Sequence, residues 1–131
     1  MSKENVEIAK RSVDAFNRRD LDALLDLATP DCVMFSQLLD ATADFQGREG
    51  LERFYGMLSD SWEEFHSVIE EYRDLGDRVL MLGRNTGRGK GSGVTIDAPT
   101  ATIYDFREGK ISLIRLFLDQ AEALRAAGLS E

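Results

Sequence analysis

The sequence has one cysteine and one histidine, and no apolar run approaches the ~20 residues of a membrane-spanning helix. Cys32 alone excludes an internal disulfide. The opening MSKENVEIAKRS has no apolar secretion core, so the cytoplasm is the expected compartment. Basic charge is scarce as well. Lys and Arg number 16 against 24 Asp and Glu, for a net charge of −8. Nucleic acids and anionic membranes are bound through basic patches, so neither is an expected partner. His66 and Cys32, far apart in sequence, are too few for a zinc site. No metal and no cofactor are expected. His66 follows the long helix read below and is expected to be solvated or to cap that helix.

What is present suits one α+β domain over residues 1–131. The 131 residues are 43% hydrophobic, enough for a real core. The most informative stretch is Val94 to Gln120. Ile96, Thr100, Thr102, Ile103, Tyr104 and Phe106 mark one strand, rich in β-branched and aromatic types. Arg107-Glu108-Gly109-Lys110 reads as a tight turn with Gly109 at positive φ. Ile111 to Leu118 returns as a strand apolar on both faces, which belongs in mid-sheet.

Before this hairpin come helices. Val6, Ala9, Val13 and Phe16 form one apolar stripe, and Leu21, Leu24 and Leu25 a second, shorter one. Thr29-Pro30-Asp31 stops the second helix, and Cys32 to Phe35 reads as a short buried strand. Ser36 to Gln46 reads as a loop over the mouth of the core. Gly47 to Phe65 carries Leu51, Phe54, Tyr55, Leu58, Trp62 and Phe65 at helical spacing. Val68–Arg73 and Arg78–Gly91 follow as strands. The glycines at 87, 89, 91 and 93 read as a bent hairpin, since their spacing is not that of a phosphate loop. A last short helix, AEALRAA, ends at Gly128.

The pieces AFNRRDLDALLDLATPD (15–31), GREGLERFY (47–55), YDFREGKI (104–111) and LFLDQAEALRAAG (116–128), in this order, resemble the SnoaL-like group of the nuclear transport factor 2-like superfamily. The resemblance implies a cone-shaped α+β barrel. Its curved, mostly antiparallel sheet would wrap a long helix, with a cavity open at one end. It also implies a homodimer through the outer sheet face. Relatives include polyketide cyclases, ketosteroid isomerases and epoxide hydrolases.

Aligned on the isomerase pattern, Ser36 stands where the carboxylate base belongs, Ser12 at the donor tyrosine and Thr102 at the carboxylic acid donor. Only Tyr55 matches a polar pocket residue. A serine is no base without a partner, so isomerase chemistry is not expected. Asp119 resembles the acid/base aspartate near the end of the last strand in the cyclase members. The stronger reading of Asp119 is an N-cap with Glu122 as capping-box partner, and nothing forbids both roles.

The alignment turns Thr100, Thr102, Tyr104, Ile114, Leu116 and Leu118 inward, and Ala101, Ile103, Asp105, Leu113, Arg115 and Phe117 outward. The expected ligand-pocket residues are Phe16, Phe35, Ser36, Tyr55, Trp62, Thr102, Tyr104 and Leu116, with Asp119 as the catalytic candidate. Two functions remain open. One is cofactor-free acid/base catalysis on a small apolar or polycyclic molecule. The other is non-catalytic binding of such a molecule, or a dimeric scaffold. The outward apolar residues Ala101, Ile103, Leu113 and Phe117 argue for a homodimer, because such a face should not stay wet.

Overall fold

The structure, a computed structural model, describes residues 2–37 and 44–129. Its elements run α1 (Ser2–Asn17), α2 (Leu21–Asp26), β1 (Ala28–Ser36), β2 (Asp44–Gln46), α3 (Gly47–Ser61), β3 (Trp62–Asp74), β4 (Arg78–Gly89), β5 (Thr95–Arg107), β6 (Lys110–Phe117) and α4 (Gln120–Ala126). Six strands form one sheet in the order β2-β1-β6-β5-β4-β3. All pairs are antiparallel except β1 with β6. This is the α+β class expected, with helices gathered against a mixed, mostly antiparallel sheet. Among the described residues, no helix is long and apolar enough to cross a membrane.

The central hairpin forms as its residues require. Glu108 (φ 54°) and Gly109 (φ 79°) both take the left-handed region, the backbone of a two-residue turn that matches strand twist. β6 lies between β1 and β5, inside the sheet. Period-two alternation then fixes the faces. Val79 and Met81 on β4 pair with Tyr104 and Thr102 on β5, and Ile114 and Leu116 on β6 complete the same inner row. α1 and α3 pack over this row, and Phe54, Leu58, Phe65 and Met81 are fully buried between helices and sheet.

α1 is tied to the sheet by its last residue. The Asn17 side-chain amide donates to the Ser67 carbonyl and accepts from the Ser67 amide, both at 2.8 Å. The helix then closes with Arg19 N–H to Phe16 C=O and Asp20 N–H to Ala15 C=O. This double bond pattern places the residue after the cap in the left-handed region, usually a glycine position. Here it is Arg19, at φ 61°.

Three boundaries differ from the sequence reading. The long helix ends at Ser61, and Trp62 is already extended (φ −124°, ψ 131°), so Trp62 and Phe65 belong to β3. An aromatic at every third or fourth position fits the helix period, but Phe65, Ser67 and Ile69 then alternate inward as a strand. β1 starts at Ala28, not Cys32. Ala28 pairs with Ile111, and an irregularity before Val33 carries exposed Pro30 and Asp31. Asp44–Gln46, inside the expected loop, adds a short edge strand. The rest of that loop, residues 38–43, lies outside the described residues.

The outer sheet face also needs correction. Ala101 and Ile103 point outward as expected, yet they are not wet. α4 folds back over them, and Leu80, Ala101, Ile103, Ala123 and Ala127 form a second small core with Leu124 and Phe117 against it. Gln120 fixes this docking by donating to the carbonyls of Gly83 and Thr100, at 3.1 and 3.0 Å. Leu113 lies outside that cover.

Candidate functional site

Between α1, α3 and the inner sheet face lies a cavity of about 50 Å³. Its walls are mainly apolar: Val13 and Phe16 from α1, Phe54 and Leu58 from α3, and Met34, Phe65, Ile69, Met81, Ile114 and Leu116 from the strands. Five polar residues join them: Tyr55, Ser67, Asn85, Thr102 and Tyr104.

Two of these polar side chains, Tyr104 and Asn85, are paired. The Tyr104 hydroxyl lies 2.8 Å from that of Ser12, and both residues are buried. The Thr100 hydroxyl donates to the Asn85 side-chain oxygen at 3.1 Å. The Asn85 amide nitrogen is thereby left to donate elsewhere. The Tyr55 hydroxyl has no hydrogen-bond partner among the described residues. Burial disfavours the phenolate at both tyrosines. Tyr104 is pushed up to about 12, against a smaller opposing pull from the Ser12 hydrogen bond. Tyr55 is raised as well, by burial and then by the nearby Tyr104 and Cys32. Both phenols are therefore neutral donors at pH 7. Burial likewise raises the Cys32 thiol to about 12, so it behaves as a small apolar group.

Among the described residues lining the cavity there is no carboxylate, histidine, lysine or arginine. Asp119 stands elsewhere. Its carboxylate caps α4, accepting from the amides of Ala121 (2.9 Å) and Glu122 (3.4 Å), and is exposed to solvent. Of its two readings, the geometry matches the cap.

Of the expected pocket residues, Phe16, Tyr55, Thr102, Tyr104 and Leu116 meet in the cavity wall. Three do not. Phe35 is on the outer face, paired with Arg115 and 44% exposed, because strand alternation puts it opposite in sense to Met34 and Ser36. Ser36 has the inner sense and is buried, but is not part of the wall. Trp62 packs against Phe65 (ring centroids 5.7 Å apart) at the start of β3. His66 is exposed on β3, paired with Thr86.

The sequence reading missed Asn85, Ser67 and the methionines at 34 and 81. Asn85 had a signal. It follows Met81 by four residues along β4 and therefore shares its inner face. A polar residue there faces either a partner or a ligand.

Residues 9–114 match the family model of the SnoaL-like domain. The chain belongs to the SnoaL-like family. Among curated proteins, none matches it. Solved structures share the fold of this SnoaL-like protein. An NTF2-like protein of unknown function from Burkholderia pseudomallei superposes with a TM-score of 0.81 at 21% identity, over 93% of this chain and 95% of its own. TerC, co-crystallised with polyporic acid, gives a TM-score of 0.80 at 19% identity, over 95% and 98%. A hypothetical protein with a ketosteroid isomerase-like fold from Catenulispora acidiphila, in complex with trimethylamine, gives 0.78 at 23% identity, over 94% and 93%.

Proposed function

We propose that the inner cavity of this SnoaL-like protein binds, without transforming it, a small, mostly apolar molecule or the apolar end of a longer one, neutral where it meets these walls. The observation that carries the reading is the cavity wall: ten apolar residues, five polar ones and no ionisable group other than two phenols held neutral. Apolar walls reward an apolar ligand, and the phenols and the Asn85 amide offer hydrogens to one acceptor. General acid/base catalysis needs a group poised near neutral pH, and phenols raised by burial are far from it. A charged ligand would lose its hydration against these walls with no counter-ion. The cavity suits a molecule of a few heavy atoms or one end of a longer one. Trimethylamine, present in one structural relative, is of that size.

The test is a titration with cyclohexanone followed by amide chemical shifts. The amides of Ser67 and Asn85 should move, and Thr102→Phe, which fills the cavity, should abolish the shifts. Amides that stay still in the wild-type protein, or keep moving in the filled variant, would sink the reading.

The same reading includes a homodimer through the outer face of β1 and β6. Phe35 is 44% exposed there, and the Arg115 Nε is buried without an acceptor beside Asp105. Sedimentation that finds only monomer at micromolar concentration refutes it.

A further inference from the structure

A second pocket, of about 200 Å³, opens between the end of α1, α2 and α3. Phe16 and Tyr55 wall both this pocket and the inner cavity. Their rings, with centroids 5.8 Å apart, are the partition between the two. Two residues at the outer pocket break the local rules of their elements. Gly56 sits in the interior of α3, where glycine weakens a helix, and a Cβ there would meet nothing within 4 Å. Arg19 takes the left-handed backbone at the end of α1, where glycine is easiest. Departures of this kind gather where function outweighs stability.

The charge at the pocket is settled by its partners. Arg19 stacks on Phe16 (5.8 Å to the ring centroid) and has no ion pair among the described residues. Glu52 is the one carboxylate among the described residues of the pocket wall, and it and the acidic residues close to Arg19 in sequence face other arginines. Glu52 lies 3.5 Å from Arg48, Asp22 lies 3.9 Å from Arg48, and Asp20 lies 3.2 Å from Arg18. A protein of net charge −8 repels anions in general. An unpaired guanidinium over an open pocket is a local exception, and it offers the paired donors that suit a carboxylate.

We propose that this pocket is a subsite for the carboxylate head of an amphipathic acid. The apolar tail of that acid passes between Phe16 and Tyr55 into the inner cavity. The proposal rests on the cavity reading above for the tail and on Arg19 and Gly56 for the head. A chain seated in both pockets must turn one of the two rings aside.

The experiment compares octanoate with octan-1-ol, followed by amide shifts. Octanoate should move the amides of Gly56 and Ser59 together with those of Ser67 and Asn85, and bind about tenfold or more tightly than the alcohol. Arg19→Gln should bring octanoate down to the alcohol and leave the alcohol unchanged. Gly56→Leu, which keeps the charge and fills the pocket, should weaken octanoate binding. Unchanged far-ultraviolet spectra and melting would show that both variants fold. Equal binding of acid and alcohol, no effect of Arg19→Gln, shifts confined to the inner cavity, or no octanoate binding would each overturn the carboxylate subsite. Failure of octan-1-ol to move Ser67 and Asn85 would instead overturn the cavity reading, whatever Arg19→Gln does at Gly56 and Ser59.

Discussion

The hydroxyls of Ser12 and Tyr104 meet at 2.8 Å across the interior, joining α1 to β5 over 92 residues of sequence. Either hydroxyl can donate. With both residues buried, the pair fixes the Tyr104 ring within the cavity wall and closes the space between helix and sheet. A phenol thus stands beside the serine that replaces a donor tyrosine in the isomerase alignment, and it arrives from a different element.

Removing either hydroxyl leaves the other buried without its partner. Tyr104→Phe and Ser12→Ala should each destabilise the fold by about 1 kcal/mol. The double variant should lose less than the sum, because the second deletion removes an already orphaned group. Urea unfolding of the four proteins measures this. Strict additivity would mean that the bond contributes nothing in solution.

All three tyrosines, Tyr55, Tyr72 and Tyr104, have phenols raised above their ordinary value of 10.0, with burial as the first cause at each. The sign of the pH effect follows. Folding favours the protonated phenol, so this contribution is complete below pH 10 and fades as pH rises through the native value, about 12 for Tyr104. Absorbance at the phenolate band should therefore show no native tyrosine titrating at the ordinary position. In concentrated urea all three should titrate near 10. A native tyrosine with an ordinary midpoint would show that its ring is solvated.

Much of this molecule was legible in the sequence. The β5–β6 hairpin read correctly to its turn because Gly109 and a long β-branched run admit few other structures. Strand parity then gave Thr102, Tyr104 and Leu116 as wall residues, since alternation in a regular strand is geometric. Parity also contained the refutation of Phe35, as Phe35 and Ser36 are adjacent and cannot share a face. The failures came where two periods overlap. Trp62 and Phe65 satisfy the helix spacing of α3 and the opening of β3 equally, and only the backbone at Trp62 decides. The covering of Ala101 and Ile103 depended on where α4 folds, and no local pattern encodes that.

Asp119 shows how a local rule can be the whole explanation. Its carboxylate accepts from Ala121 and Glu122 at the start of α4. Asp119→Ala should cost about 1 kcal/mol of stability, and Asp119→Asn, a good cap, much less. Neither should alter cyclohexanone shifts at Ser67 and Asn85. A folded Asp119→Asn protein that no longer binds would mean that the carboxylate reaches the ligand, and would restore it as a site residue.

Gly56 separates stability from binding most cleanly. In α3 an alanine is the better helix residue, and its methyl would enter open space rather than a neighbour. Gly56→Ala should therefore stabilise the protein by about 0.5–1 kcal/mol, through helix propensity and a less flexible unfolded chain. That methyl also takes room from the pocket beside Arg19. A glycine kept only for want of selection would give the stability gain with octanoate binding unchanged. A glycine kept for the pocket would give the same gain with weaker octanoate binding, while octan-1-ol still moves Ser67 and Asn85. Thermal melting and the two titrations on one variant distinguish these cases, and a loss of stability would show that the space above Gly56 is not open in solution.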